Sequence, residues 1–166
     1  MSSEKKPSVV GDGTFGFGPL PHDTKRSDRA EIGGSDEAGK TQTGPDILLV
    51  EDNKDIALSM TVLMGLRGHP LASVRTGADA LSYIQRFNPR VFLLDFGLPD
   101  MDGLELAKRL RSQMNSRSSL FVGLSGHAES HWGRALHEAG FDAYFLKPAN
   151  LDALCHLIDE FYKSAT

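Results

Sequence analysis

The sequence is poor in several things that would each announce a function. It has one cysteine, Cys155. A single thiol cannot close an intramolecular disulfide and is too few for a cysteine-built zinc site, so a reducing compartment is the simpler expectation. No apolar run approaches the roughly 18 residues that a membrane-spanning helix requires. The opening Met-Ser-Ser-Glu-Lys-Lys-Pro is followed by no apolar stretch, so no secretory signal is expected. Strong basic charge is missing too: 18 Lys and Arg against 22 Asp and Glu leave a formal charge of -4, not the footprint of a dedicated nucleic-acid binder. Large apolar residues are scarce in residues 1–44, which instead hold eight of the 17 glycines and three prolines. Such a segment buries too little surface to offset its ordering entropy, and it reads as a disordered extension or linker.

What remains is one domain's worth of chain, residues 45–166, where short apolar runs alternate with helical periodicity. Ile47–Val50, Leu71–Val74, Val91–Leu94, Leu120–Leu124 and Ala143–Leu146 read as strands. Between them, Ile56, Met60, Leu63 and Met64 recur at helical spacing across 54–67. Thr76 can cap a helix to Phe87 with Ala80, Leu81 and Ile84 on one face. Further helices are expected over 104–113 and 131–139. A last helix is expected to turn Leu151, Leu154, Cys155, Ile158, Phe161 and Tyr162 inward. Strands without polar alternation imply a parallel sheet covered on both faces, hence an α/β doubly wound fold. Open sheets of this type bind ligands at the carboxyl ends of their strands, which directs attention to the residues just after Val50, Leu94, Leu124 and Leu146.

Two letter-perfect motifs fail on context. Gly11-Asp-Gly-Thr-Phe-Gly16 satisfies the dinucleotide pattern, and Gly34-Ser-Asp-Glu-Ala-Gly-Lys-Thr41 satisfies the P-loop pattern. Each needs a strand before it and a helix after it. Phe17-Gly18-Pro19 and Gln42-Thr43-Gly44-Pro45 supply neither helix, and Asp36 and Glu37 would repel phosphate. His127 and His131 are four apart, but Ala128 takes the place of the acid in a zinc-protease motif. Gly123-Leu-Ser-Gly-His127 nearly spells a hydrolase elbow, with His in place of the last glycine. A small serine hydrolase using Ser125 and a base such as His127 would leave the acids described next unexplained. Trp132, the only tryptophan, is read as a core residue or part of a partner-binding face.

The stronger signal lies at the strand ends. Glu51 and Asp52 follow the first strand and Asp95 the third. Any one of them read alone is a solvated or helix-capping acid. Three converging from parallel strands repel one another unless a proton or cation intervenes, and hard oxygen donors suit Mg²⁺. Ser125 and Lys147-Pro148 end the fourth and fifth strands, adding a hydroxyl and an ammonium. Acids, hydroxyl and ammonium together form a parts list for phosphoryl transfer.

Four segments carry a resemblance: Ile47-Leu-Leu-Val-Glu-Asp-Asn53, Phe92-Leu-Leu-Asp-Phe-Gly-Leu-Pro-Asp-Met-Asp-Gly103, Gly123-Leu-Ser-Gly126 and Ala143-Tyr-Phe-Leu-Lys-Pro148. In this order, with 43 residues from Asp52 to Asp95, 30 on to Ser125 and 22 more to Lys147, they resemble the receiver domain of response regulators in two-component signalling. The resemblance implies five parallel strands in order 2-1-3-4-5 with five helices. It implies that Asp95 is a nucleophile taking phosphate from the phosphohistidine of a histidine kinase or phosphotransfer protein. Asp52, Asp95 and the Gly97 carbonyl would bind Mg²⁺ directly and Glu51 through water. Lys147 would pair with the phosphoryl group. Ser125 and Tyr144 would form the switch, and the peptide to Pro148 would be cis. The domain would thereby catalyse its own phosphorylation and autodephosphorylation.

Gly97 and His127 depart from the commonest choices in the family and are expected to tune loss of phosphate. A pseudo-receiver that only binds protein partners is the competing expectation, and the complete set of acids, Ser125 and Lys147 weighs against it. Gly11-Asp-Gly-Thr-Phe15 with Leu20-Pro21 faintly resembles the closing strand of histidine-kinase ATP-binding domains, which would suit the receiver of a hybrid kinase. The chain ends soon after the fifth helix, so output is expected to pass through a downstream protein partner. A cytoplasmic location, with neither nucleic acid nor membrane bound, completes the expectation.

Overall fold

The alternation of apolar runs and helical segments folds as its periodicities require. The computed structural model describes residues 8–10, 14–16, 44–114, 119–126 and 132–165. In chain order the elements are β1 (Ser8–Val10), β2 (Thr14–Gly16), β3 (Ile47–Val50), α1 (Lys54–Leu66), β4 (Leu71–Val74) and α2 (Gly77–Arg86). They continue with β5 (Val91–Asp95), α3 (Gly103–Gln113), β6 (Leu120–Ser125), α4 (Trp132–Ala139), β7 (Ala143–Leu146) and α5 (Leu151–Ser164).

Five strands are parallel and lie in the order β4-β3-β5-β6-β7, the 2-1-3-4-5 arrangement expected. Successive residues of a strand face opposite sides of the sheet, and the core divides accordingly. Ile47, Leu49, Val91, Leu93, Val122 and Phe145 pack with Ala57, Met60 and Met64 of α1 and Leu154, Ile158 and Phe161 of α5. Leu48, Val50, Phe92, Leu94, Phe121 and Tyr144 pack on the other side with residues of α2, α3 and α4. Both faces being covered explains why the strands are apolar throughout.

Side chains stop and start the helices where the sequence indicates. Asn53, Thr76, Asp102 and Asn150 each cap a helix by accepting from backbone N–H groups of its first turn. Gly68 and Gly140, at φ 84 and 90, end α1 and α4 in the left-handed conformation that glycine adopts without penalty.

One feature differs from the expected disordered extension. Ser8–Val10 and Thr14–Gly16 pair antiparallel, and β2 continues onto β7 through Phe15 opposite Tyr144 and Gly16 opposite Ala143, giving seven strands in all. The intervening sequence Gly11-Asp12-Gly13 is composed of residues that favour hairpin connections, and the edge of β7 offers backbone groups that a further strand can pair. The rest of residues 1–43, including the P-loop-like stretch, lies outside the described residues, as do His127 and His131.

Candidate phosphoacceptor site

Strand register assembles the site. Val50 pairs with Leu94, Asp95 with Leu124, and Ser125 with Leu146. Glu51, Asp52, Asp95, Ser125 and Lys147 therefore emerge at one sheet edge, from the carboxyl ends of four adjacent strands or the residues just beyond them. One carboxylate oxygen from each of Glu51, Asp52 and Asp95 lies within 4.8 Å of the others.

Burial makes that cluster consequential. Glu51 is 1% exposed and Asp95 6%. Charges so enclosed are tolerated only when paired and hydrogen-bonded. Lys147 supplies the pairing: its Nζ lies 2.6 Å from Glu51 Oε2 and 3.1 Å from Asp95 Oδ1. The backbone N–H of Asn53 donates to Glu51 Oε1 at 3.2 Å, and that of Gly97 donates to Asp95 Oδ1 at 3.1 Å. Both Glu51 oxygens thus already accept a hydrogen bond. Asp52, by contrast, is only half-buried.

Three carboxylates against one ammonium leave an excess of negative charge. All the candidate side-chain ligands are hard oxygens close enough to share one small ion. The donor set fits Mg²⁺, which keeps several waters and takes few carboxylates.

Ser125 is buried at the end of β6, and its carbonyl accepts from the Lys147 N–H at 2.7 Å, so the two are rigidly linked. The Lys147–Pro148 peptide is cis. Tyr144, on β7, packs into the α2–α3–α4 side of the core, and burial pushes its phenol upward from the ordinary value. Gly97 sits in the exposed loop after β5. A Cβ there would stand 3.8 and 3.9 Å from the two Asp95 carboxylate oxygens, so this position borders Asp95 directly.

Two contributors were not foreseen. Phe96 lies over Gly123, where a Cβ would come within 2.4 Å of its ring, and meets Phe141 edge-on at 5.3 Å. An aromatic residue after Asp95 facing a glycine in the neighbouring strand was the available signal. Asp100, farther along the same loop, accepts from the N–H groups of Gly77 and Ala78. Its partners are backbone groups, which no sequence motif marks.

Comparison with known proteins agrees with this geometry. Residues 47–159 match the family model described as the response regulator receiver domain. The chain belongs to the response-regulator receiver family. It is 30% identical over 106 residues to the transcriptional regulatory protein KdpE of Mycobacterium tuberculosis (strain ATCC 25618 / H37Rv), covering 64% of this chain and 46% of that protein. It is 28% identical over 136 residues to the sensor protein GacS of Pseudomonas syringae pv. syringae, covering 80% of this chain and 15% of the relative. The chain thus spans about half the length of KdpE and far less of the sensor. The solved receiver domain of the Francisella response regulator 1452 superposes with a TM-score of 0.66 at 28% identity, covering 74% of this chain and all of the other. The chain is a receiver of two-component signalling, and no helix among the described residues is long and apolar enough to cross a membrane.

Proposed function

We propose that residues 45–166 form a phosphoacceptor unit in which Asp95 takes a phosphoryl group from a phosphohistidine in a Mg²⁺-dependent reaction. The observation that carries this reading is the position of Asp95, a buried carboxylate held by Lys147 and ringed by two further acids.

Asp52, Asp95 and the Gly97 carbonyl would hold the ion, with Glu51 acting through a water because its own oxygens are engaged by Lys147 and Asn53. Mg²⁺, when bound, would neutralise charge on the incoming phosphoryl group. An Asp95 oxygen attacks phosphorus, the phosphorus–nitrogen bond breaks, and the electron pair leaves on the imidazole of the donor. The product is an acyl phosphate on Asp95. Lys147 Nζ, bridging two carboxylates, exchanges part of that contact for a phosphoryl oxygen. The Ser125 hydroxyl donates to the same group, and Tyr144 adjusts its packing when Ser125 moves. A new charge thereby biases the surface around β6, β7, α4 and α5.

Gly97 and His127 set the lifetime of the phosphate. A glycine at 97 places no side chain beside Asp95, which leaves water an approach.

The donor is a histidine kinase or histidine phosphotransfer protein. Leu58, Val62 and Leu66 recur every fourth residue of α1, with Leu63 beside them, and form an exposed apolar strip. The helix begins at Lys54, capped by Asn53 directly after Glu51 and Asp52, so a helical partner lying along the strip brings its histidine to Asp95. The likeness to GacS favours a place beside a kinase, as in a hybrid sensor, acting in the cytoplasm and signalling to a downstream protein.

The test is incubation with acetyl phosphate and Mg²⁺ followed by intact mass. A phosphate-sized gain, absent in Asp95→Asn and in EDTA, is expected. An unmodified mass would favour a module that only binds partners. Esterase activity dependent on Ser125 would overturn the reading in favour of hydrolysis.

A further inference from the structure

The loop from Phe96 to Asp102 leaves the phosphoacceptor and must present the Gly97 carbonyl at a fixed place. Its two ends are well held. Phe96 is wedged against Gly103 and Gly123. Asp102 caps α3 by accepting from the Leu104 N–H at 2.8 Å. The middle, where Gly97, Pro99 and Asp100 are exposed, has a different fastening. Asp100 Oδ1 accepts from the Gly77 N–H and Oδ2 from the Ala78 N–H, each at 2.9 Å, so one carboxylate closes both N–H groups at the start of α2. Met101 reinforces the contact: a Cβ at Gly77 would meet its sulfur at 2.5 Å, so the side chain lies directly on the glycine.

These contacts are unusual for an exposed acid. A solvated carboxylate on a loop has no need of two backbone donors 22 and 23 residues away. The donors are the first free N–H groups of a helix, where the dipole and unfilled hydrogen-bonding capacity favour an anion. Burial raises the Asp100 carboxyl, but the N–H groups of Gly77, Ala78, Asp100 and Met101 outweigh it, holding it below the ordinary value. Thr76 meanwhile caps the same helix by accepting from Asp79, so Asp100 adds to the cap and does not replace it.

We infer that Asp100 is a positioning residue for the metal site, fixing the Gly97 segment by clamping its loop to the start of α2. The inference rests on the receiver reading, because it presumes that Gly97 contributes to binding Mg²⁺. Asp100 does not touch the ion; it restricts where the loop can go. Freed of the clamp, the loop samples positions in which the carbonyl misses the ion, and affinity falls by the fraction of time lost. Once the ion is saturating, the loop is in place and Asp95 reacts as before. The signature is therefore a shift in Mg²⁺ requirement with the maximal rate unchanged.

The experiment uses the full chain with Asp100→Ala and Asp100→Asn, titrated with MgCl₂ by calorimetry and phosphorylated with acetyl phosphate across a range of Mg²⁺. The alanine variant removes the clamp and is expected to weaken Mg²⁺ binding by about 3- to 10-fold, with the phosphorylation rate restored at saturating Mg²⁺. The asparagine variant keeps one acceptor oxygen but turns its amide N–H₂ toward the other backbone N–H, so it retains part of the clamp and should bind Mg²⁺ between the wild type and Asp100→Ala. Equal weakening in both variants would show no gain from the bond that asparagine keeps, and would overturn the clamp. So would unchanged affinity in Asp100→Ala, or a lowered maximal rate with unchanged affinity. Thermal unfolding of each variant checks that it is folded; a fall in melting temperature without a shift in Mg²⁺ affinity also counts against the inference. If the wild type itself binds no Mg²⁺, the receiver reading fails first, and that outcome is distinct from a normal wild type with indifferent variants.

Discussion

Replacing Lys147 by Met should destabilise the protein in the absence of a divalent cation and much less in its presence. The ammonium stands 2.6 Å from a Glu51 oxygen and 3.1 Å from an Asp95 oxygen, with those side chains 1% and 9% exposed. At an effective dielectric constant of about 20, the two contacts are worth about 6 and 5 kcal/mol of gross attraction. Most of that is offset by desolvation, and breaking a buried pair from one side costs about 3–5 kcal/mol net. The lower end applies because Lys147 is 19% exposed and water can reach it. Met keeps the length and apolar stem of the side chain, so packing loss adds little. For a chain of this size about 3 kcal/mol corresponds to a fall in melting temperature of roughly 10 °C. Circular dichroism melts in EDTA and in MgCl₂ measure it. The cation replaces part of the lost positive charge, so MgCl₂ should recover a substantial share of the loss. A Lys147→Met protein that melts with the wild type in EDTA, or above it, would refute the electrostatic account of the site.

Three further outcomes follow from other parts of the molecule. Gly97→Asn, which places an amide beside the Asp95 oxygens, should lengthen the phosphate lifetime several-fold, read as the decay of the phosphorylated mass after the donor is removed; an unchanged lifetime would exclude position 97 as a tuning site. Val62→Glu on the exposed α1 strip should leave stability within about 0.5 kcal/mol and phosphorylation by acetyl phosphate intact. Transfer from a phosphohistidine protein donor should drop at least tenfold, and equal effects on both donors would place the docking surface elsewhere. Asp142 carries a pH dependence. Burial raises its carboxyl, with the opposing Arg111 charge and the Phe121 N–H only partly compensating. A group raised on folding contributes stability that is complete below the unfolded value of about 3.9 and fades as pH climbs through the folded one. The stability of the wild type relative to Asp142→Asn should therefore decline as pH rises above about 4, and a relative stability that grew with pH would contradict it.

Much of this is legible in the sequence. The five parallel strands announced themselves because both faces of the sheet are covered, which leaves no polar alternation to blur them. Thr76 is a residue whose side chain competes with backbone for N–H groups, so the start of α2 was readable from the sequence; Asn53, Asp102 and Asn150 cap α1, α3 and α5 by the same chemistry. The acidic cluster was readable because its members sit at strand ends, where a parallel sheet must gather them. Other features lay beyond the pattern. Leu63 has helical spacing with Met60 and Met64 yet is exposed, since spacing alone does not say how far around α1 the core extends. The pairing of β2 with β7 depends on a sheet edge more than 120 residues away in sequence. The glycine-rich composition points away from ordered structure there, although Gly11-Asp12-Gly13 has turn chemistry. Asp100 acts on the backbone of a different element, and a residue whose partners are N–H groups leaves no correlated side chain to notice.

The central claim is that Asp95 becomes the acyl phosphate. The most direct measurement treats the protein with acetyl phosphate and Mg²⁺, reduces it with borohydride, and maps the peptides by mass. An aspartyl phosphate is reduced to homoserine, so the peptide containing residue 95 should carry that change and no other peptide should. A phosphate that survives borohydride and maps to Ser125, or a homoserine at Asp52 with Asp95 intact, would contradict the account.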